Sequence, residues 1–150
     1  MLESNVLAEI RGMPPDRFKS VCRQIVNGLG FVDAHEVSRS GIPAIFEETI
    51  ERRSTDGMFR TKESWLLAFI RSNAQATVNK GLEGAAQWAE LNGMHNVLVV
   101  VFGSVDPKNA EKYHANDKIG RPRTVLLTES FALTLLQDYA ADEVGPVQPH

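Results

Sequence analysis

The chain has 150 residues, the usual size of one domain and enough to bury about two-thirds of its unfolded surface without staples. Its 16 lysines and arginines against 19 acids give a net charge of −3, which excludes a globally basic nucleic-acid coat and leaves only local basic patches. The single cysteine, Cys22, excludes an internal disulfide, no basic segment followed by an apolar run opens the chain, and the apolar run Val97 to Val101 is far shorter than the roughly 20 residues that cross a bilayer. These features predict a soluble cytoplasmic protein with no membrane partner.

In chain order, Leu2 to Ile10 is a short helical candidate, stopped by Gly12 and by Pro14-Pro15, which cannot sit inside a helix but can open the next one. Phe18, Val21, Cys22, Ile25, Val26 and Leu29 recur at helical spacing and predict a long helix from Asp16 to the Gly28-Leu29-Gly30 stop. Phe31 to Val37 reads as a strand. Ile42, Ala44 and Phe46 alternate into a second strand that runs toward Ile50 and Glu51-Arg52-Arg53. Asp56-Gly57 supplies a turn, and Trp65 to Arg71 gives a third strand, so 31–71 is an antiparallel meander whose last two strands form a hairpin.

After Asn73 the pattern becomes helical, with Val78, Leu82, Ala85, Ala86 and Ala89 on one face from Thr77 and a stop at Asn92-Gly93. The run Val97 to Phe102 predicts a strand covered on both faces in the middle of a sheet. Asp106-Pro107 opens a helix through about Lys118, Arg123 to Leu127 gives a fifth strand, and Thr128 caps a last helix with Phe131, Leu135, Leu136 and Tyr139 inward. The tail 142–150 is expected to fray, and with no repeat or linker in view 1–150 is expected to be a single domain with its core at about 14–140. The element order predicts an α/β sandwich around a mixed five-stranded sheet flanked by helices.

Four stretches carry a resemblance. Met13 to Phe18 followed by Ile25 to Phe31, the glycine-led opening Ser40-Gly41-Ile42, the strand Trp65 to Ser72, and the alternation of helices and strands from Thr77 to Tyr139 together resemble the catalytic domain of Mrr-type restriction endonucleases. The resemblance covers about residues 14–139 and implies the restriction-endonuclease-like three-layer sandwich, with DNA as partner and a setting in bacterial defence or mobile elements.

The same resemblance implies a magnesium site built from an aspartate on the second strand and an acid or amide followed two residues later by lysine on the third. Spacing of two is needed because alternate residues share a face. This chain departs from that pattern: Pro43 stands where the aspartate would be, and Ala68 and Ile70 stand at the third-strand motif. Lys19 stands where many relatives carry a supporting glutamate on the first helix. The pattern predicts a nuclease fold without metal or other cofactor and without nuclease chemistry, working through DNA, a protein partner or a homodimer. The alternative is a magnesium-dependent DNA endonuclease with relocated acids, Glu48 and Glu63, and Arg71 as a charge clamp. Arginine stays protonated and is a poor general base. Alternation sets Glu47, Thr49 and Glu51 on the face opposite Phe46 and Glu48, the pattern of a half-solvated strand.

Other constellations are weaker. His35, His95 and His114 lack metal spacing, His35 is expected to hydrogen-bond to backbone, Cys22 lies on an apolar stripe, and Gly81 and Gly84 form no phosphate loop. The DNA-binding candidates are Arg39, Arg52, Arg53, Arg60 and Lys62 around the opening of the meander and its hairpin, with Arg121 and Arg123 as a second pair. A charged hairpin also stays wet and blocks edge pairing, and Glu51, Asp56 and Glu63 are mixed into it. Phe59 between these charges is either a loop anchor or a stacking residue.

Overall fold

Proline and glycine decide where the first long helix lies. In the computed structural model, which describes residues 2–39, 42–108, 111 and 123–141, helix α1 (Leu2–Gly12) ends at the Pro14-Pro15 pair. Helix α2 (Pro15–Gly28) starts with proline in its first turn, where the missing N–H costs nothing. At its far end Gly30 adopts φ 101°, its N–H donates to the Asn27 carbonyl at 3.1 Å, and the Phe31 N–H donates to the Val26 carbonyl at 3.1 Å. These are the two hydrogen bonds of a Schellman cap, and Val26 and Phe31 join the core beside them. Phe31 is thus spent closing the helix, which corrects the expected strand from Phe31 to Val37: the first strand, β1 (His35–Arg39), begins four residues later.

β2 (Ile42–Arg53) and β3 (Arg60–Ile70) form one long antiparallel ladder from Ala44 opposite Phe69 to Arg53 opposite Arg60. β3 thus starts before the expected Trp65. Helix α3 (Gln75–Leu91) follows, then β4 (Asn96–Val101), β5 (Arg123–Thr128) and α4 (Ser130–Tyr139). The sheet order is β1-β2-β3-β4-β5, antiparallel across the first three strands and parallel from β3 to β5, so the chain is α/β with a mixed five-stranded sheet. β4 is buried along its whole length between β3 and β5, as its unbroken apolar run predicts. The expected helix from Asp106 to Lys118, residues Ser40, Gly41 and Arg121, and the tail from Asp142 lie largely or wholly outside the described residues.

Two cores follow from strand alternation. Ala44, Phe46, Leu67, Phe69, Leu98 and Val100 share one face with α1, α2 and α4, whereas Ile45, Leu66, Ala68, Ile70, Val97 and Val99 share the other with α3. An aromatic row crosses the first core: Phe46 meets Phe69 edge-on at 6.0 Å, Phe69 stacks on Phe102 at 6.4 Å, and Phe102 meets Phe18 of α2 edge-on at 5.8 Å. Ile10 of α1 is fully buried in this core, so the core begins ahead of residue 14. Among the described residues no helix is long and apolar enough to cross a membrane.

The last helix departs from expectation. Glu129, not Thr128, stands at its N-cap, with φ 46° and ψ −108° and no side-chain capping bond, because Thr128 is still paired in β5 opposite Val101. The buried face is Ala132, Leu133, Leu135 and Leu136, while Phe131 is 65% exposed. Tyr139 lies against α2 at Gly28, where an added Cβ would stand 2.2 Å from its ring, and so keeps only partial cover.

Gly103, just past β4, lies close against the connection after β3: a Cβ there would lie 2.1 Å from the Ser72 carbonyl oxygen. Gly103→Ala must push the end of β4 away from the connection after β3, at a cost of roughly 1–3 kcal/mol. The expected result is a lower urea midpoint with an unchanged slope; an unchanged midpoint contradicts this packing.

Candidate nucleic-acid interface

At the positions of the expected nuclease motif the side chains are apolar, Ala68 and Ile70 covered and Pro43 half-buried. Ala68 and Ile70 are 0% and 1% exposed in the core under α3; Ala68 lies between Ile45 and Val99, and Ile70 beside Val101. Pro43 precedes the Ala44–Phe69 pair, at the same end of the ladder. The neighbouring acids are committed elsewhere. Glu48 is 8% exposed and accepts the Asp33 N–H at 2.7 Å, fixing the loop between α2 and β1. Glu63 accepts from the Asn96 amide at 2.7 Å, tying β3 to β4. Register sets Glu48 opposite Trp65 and Glu63 opposite Ile50, diagonal on one face with each carboxylate engaged by a different donor.

Strand parity places Glu47 on the other face, as expected, but this part of the strand is not simply solvated. Glu47 accepts from the Trp88 indole N–H and lies 3.4 Å from His35 Nε2. That contact corrects the expectation that His35 bonds to backbone. His95 does so: its Nδ1 accepts the Ser64 N–H at 3.0 Å, fastening the start of β4 to β3. Among the described residues no group of three or more His, Cys, Asp or Glu side chains is placed to hold a metal ion.

Arg71 is bound into the fold. Its Nη1 donates to the Ile10 carbonyl at 3.2 Å and also to the Met13 carbonyl, and the guanidinium lies 4.5 Å over the Phe18 ring. It therefore anchors the end of α1 and the start of α2 to the end of β3. Beneath it Cys22 is fully buried, as the apolar stripe predicts. Burial pushes its thiol well above the ordinary value, more than the nearby Arg71 charge lowers it, so the thiol stays protonated.

The β2–β3 ladder outruns its neighbours. The last β1 pairing on β2 is His35 with Glu47, and the first β4 pairing on β3 is Trp65 with Asn96. Ser64 is still bonded to His95 and Ile50 still packs on the first core, so the projecting ribbon runs from Glu51–Lys62 to Arg53–Arg60, three rungs or about 10 Å at roughly 3.4 Å per residue, with the turn beyond it. Glu51, Arg53, Arg60 and Lys62 share its α3-side face by parity, three cations with one carboxylate. Arg60 lies 3.6 Å from Glu51, whereas Arg53 and Lys62 have no ion-pair partner among the described residues. Arg53 directly faces Arg60, a like-charge pair that works against the ladder.

The ribbon ends in an ordered turn. The Gly57 N–H donates to the Ser54 carbonyl at 2.9 Å with Gly57 at φ 74°, and the Ser54 N–H donates to the Phe59 carbonyl at 2.9 Å. The Asp56 carboxylate accepts from the Ser54 hydroxyl at 2.6 Å and from the Met58 N–H at 3.1 Å. Met58 and Phe59 remain 77% and 67% exposed, so the Phe59 side chain does not anchor the loop.

Not all the expected cations gather there. Arg39 lies opposite Ile42, at the far end of β2 from the ribbon tip, because β1 runs antiparallel to β2. Arg123 pairs with Asn96 near the ribbon base, but on the opposite face, with Leu98 and Leu127. Arg52 lies on the ribbon opposite Thr61 with its side chain outside the described set, and Arg121 is likewise outside it.

One feature escaped sequence reasoning. At the carboxyl ends of the parallel strands a cavity of about 210 Å³ opens between α1 and α4, lined by Leu7, Arg11, Asn73, Ser104 and Glu129 among others. The rule that α/β sheets open crevices at the carboxyl ends of their parallel strands gives its general location. The strained Glu129 and the docking of α1 have no signature in the sequence. No protein-family model, curated protein or solved structure matches the chain.

Two outcomes test these assignments. Arg71→Gln leaves two carbonyls without their charged donor and is expected to cost about 2 kcal/mol, read as a lower urea midpoint. Hydrogen bonds from the Ser54 hydroxyl and the Met58 N–H hold the Asp56 carboxyl below its ordinary value of 3.8. Its contribution is therefore full above that value and is lost as pH falls through the depressed folded value. The Met58 amide resonance is expected to keep its position from pH 7 to 5 and to move only below about pH 4; movement near neutrality contradicts the assignment.

Proposed function

We propose that this chain is a DNA-binding module on a restriction-endonuclease-like three-layer sandwich, without metal-dependent nuclease chemistry, and that it grips duplex phosphates with the β2–β3 ribbon. The observation that carries this reading is the projecting ribbon with Arg53 facing Arg60 and Lys62 on the same face. A like-charge pair on the outermost rung weakens the isolated hairpin, and a polyanion between or beside the two guanidiniums reverses that sign. A two-stranded ribbon also has the dimensions that a major groove about 12 Å wide and about 8.5 Å deep admits.

Several features support binding without cutting. Pro43, Ala68 and Ile70 offer no metal ligand. Glu48 and Glu63 accept hydrogen bonds that hold the α2–β1 loop and the β3–β4 pairing, so drawing them to an ion would open both. Arg71 is held by two carbonyls at the other end of β3 from Glu63. Magnesium has no part in this reading.

The test is a gel shift of purified protein with duplex DNA at low and moderate salt, with magnesium or with EDTA, and the products run on a denaturing gel. Retarded, uncut DNA is expected under both metal conditions, weakening as salt rises. Arg53→Ala with Arg60→Ala is expected to reduce the slope of log affinity against log salt by about 1–2. Magnesium-dependent cleavage that disappears in Glu48→Ala overturns the reading in favour of a nuclease, and the absence of any shift overturns it in favour of a protein partner.

A further inference from the structure

We infer that Met58 and Phe59 form an apolar wedge that the ribbon drives between base pairs of a bound duplex, kinking the DNA at an easily unstacked step. This inference rests on the DNA-binding reading above and adds to it a mode of contact. These two large apolar side chains are adjacent and exposed in the turn at the tip of the projecting ribbon. Among the described residues, the other large apolar side chains more than half exposed, Val32, Leu91 and Phe131, lie apart from one another in the loop after α2, at the end of α3 and at the start of α4.

The turn that carries the wedge is ordered in advance. Ser54 binds Phe59 through both its backbone and its hydroxyl, and Asp56 binds Ser54 and the Met58 N–H. The hydrogen bonds of Asp56 belong to the turn, and they leave its carboxylate solvated by donors of the chain itself. A preformed tip loses little conformational freedom on insertion, which favours entry into a stack of bases. Immediately behind it stand Arg53 and Arg60, placed for the phosphates that flank the opened step. The projecting rungs, about 10 Å long with the turn beyond them, exceed the depth of either groove, about 8 Å, so the tip reaches the base stack before the sheet meets the backbone.

Insertion of an apolar side chain unstacks a step and bends the duplex, and pyrimidine–purine steps yield with least resistance. The wedge therefore selects DNA by deformability, with TA and CA steps preferred. The twin arginines favour this occupant over an uncharged protein pocket. An anionic lipid surface shares their charge preference, and the experiment includes it.

The full chain is titrated into a duplex carrying 2-aminopurine at a central TA step, and separately into an end-labelled duplex read by energy transfer. The wild type is expected to raise 2-aminopurine emission and to bring the ends together. A Met58→Ser, Phe59→Ser variant is expected to keep salt-sensitive binding, weakened by about tenfold, with neither signal. Arg53→Ala with Arg60→Ala is expected to weaken binding and still to raise emission at saturation. Both sets of sites are exposed, and an unchanged thermal midpoint confirms that each variant is folded.

Binding without unstacking or bending, or a serine variant that still unstacks DNA, overturns the wedge and leaves the ribbon reading intact. Absence of DNA binding overturns both. Sedimentation with phosphatidylserine vesicles that depends on Met58 and Phe59, while bound DNA stays straight, assigns the tip to membranes and overturns the wedge.

Discussion

The ladder between β2 and β3 is the constraint on which the rest of the molecule depends. Its inner rungs, from Ala44–Phe69 to Glu48–Trp65, bring both cores onto one pair of strands, because alternate residues send Phe46, Leu67 and Phe69 to one side and Ile45, Leu66 and Ala68 to the other. A slip of one residue would exchange the two sets, so burial on both faces fixes the register more firmly than the turn alone. The outer rungs have neither β1 nor β4 beside them and inherit that register. The packed half of the ladder thus positions the exposed half, and a rigid projecting ribbon results without a core of its own.

The acids of β2 and β3 are given structural work. Glu47, Glu48 and Glu63 meet Trp88, Asp33 and Asn96 respectively; the first two contacts join elements that backbone pairing does not join, and the third reinforces the start of the β3–β4 pairing. A carboxylate that accepts hydrogen bonds in a half-buried setting is costly to withdraw, since its donors are then left unmet. The same logic governs Arg71, which lies between an aromatic ring and the carbonyls at the end of α1. A cation at a helix carboxyl end is stabilised by the partial charges there, so Arg71 holds α1 and α2 against the sheet with several weak forces acting together.

The two ends of the sheet have different characters. At the amino ends of the parallel strands the ribbon projects with its cations and apolar tip, and at their carboxyl ends α1 and α4 leave a small cavity beside Gly103. The close approach of Gly103 to Ser72 draws the connections at that second end together, whereas at the first end the described residues leave the outer rungs of β2 and β3 projecting. Stability and exposure are thereby separated along one pair of strands.

Local patterns were sufficient for much of this. Proline at the start of α2, glycine at its end, the alternation of β2 and the unbroken apolar run of β4 each report backbone geometry or burial through nearest neighbours, and those elements stand close to where the sequence puts them. The α/β class and the hairpin followed from the same signals. What the sequence could not decide were matters of register and docking between distant segments. Glu48 reads as a strand acid until the loop at Asp33 closes on it, Arg71 as a strand-end cation until α1 arrives 58 to 61 residues away in sequence, and Arg39 as a neighbour of Arg53 until the antiparallel sense of β1 separates them. Phe131 was turned outward because α4 begins only after Thr128 leaves β5, so its helical phase depends on a pairing with β4. Short-range periodicity carries secondary structure, but the partner of a charge is fixed only when tertiary packing sets which surfaces meet.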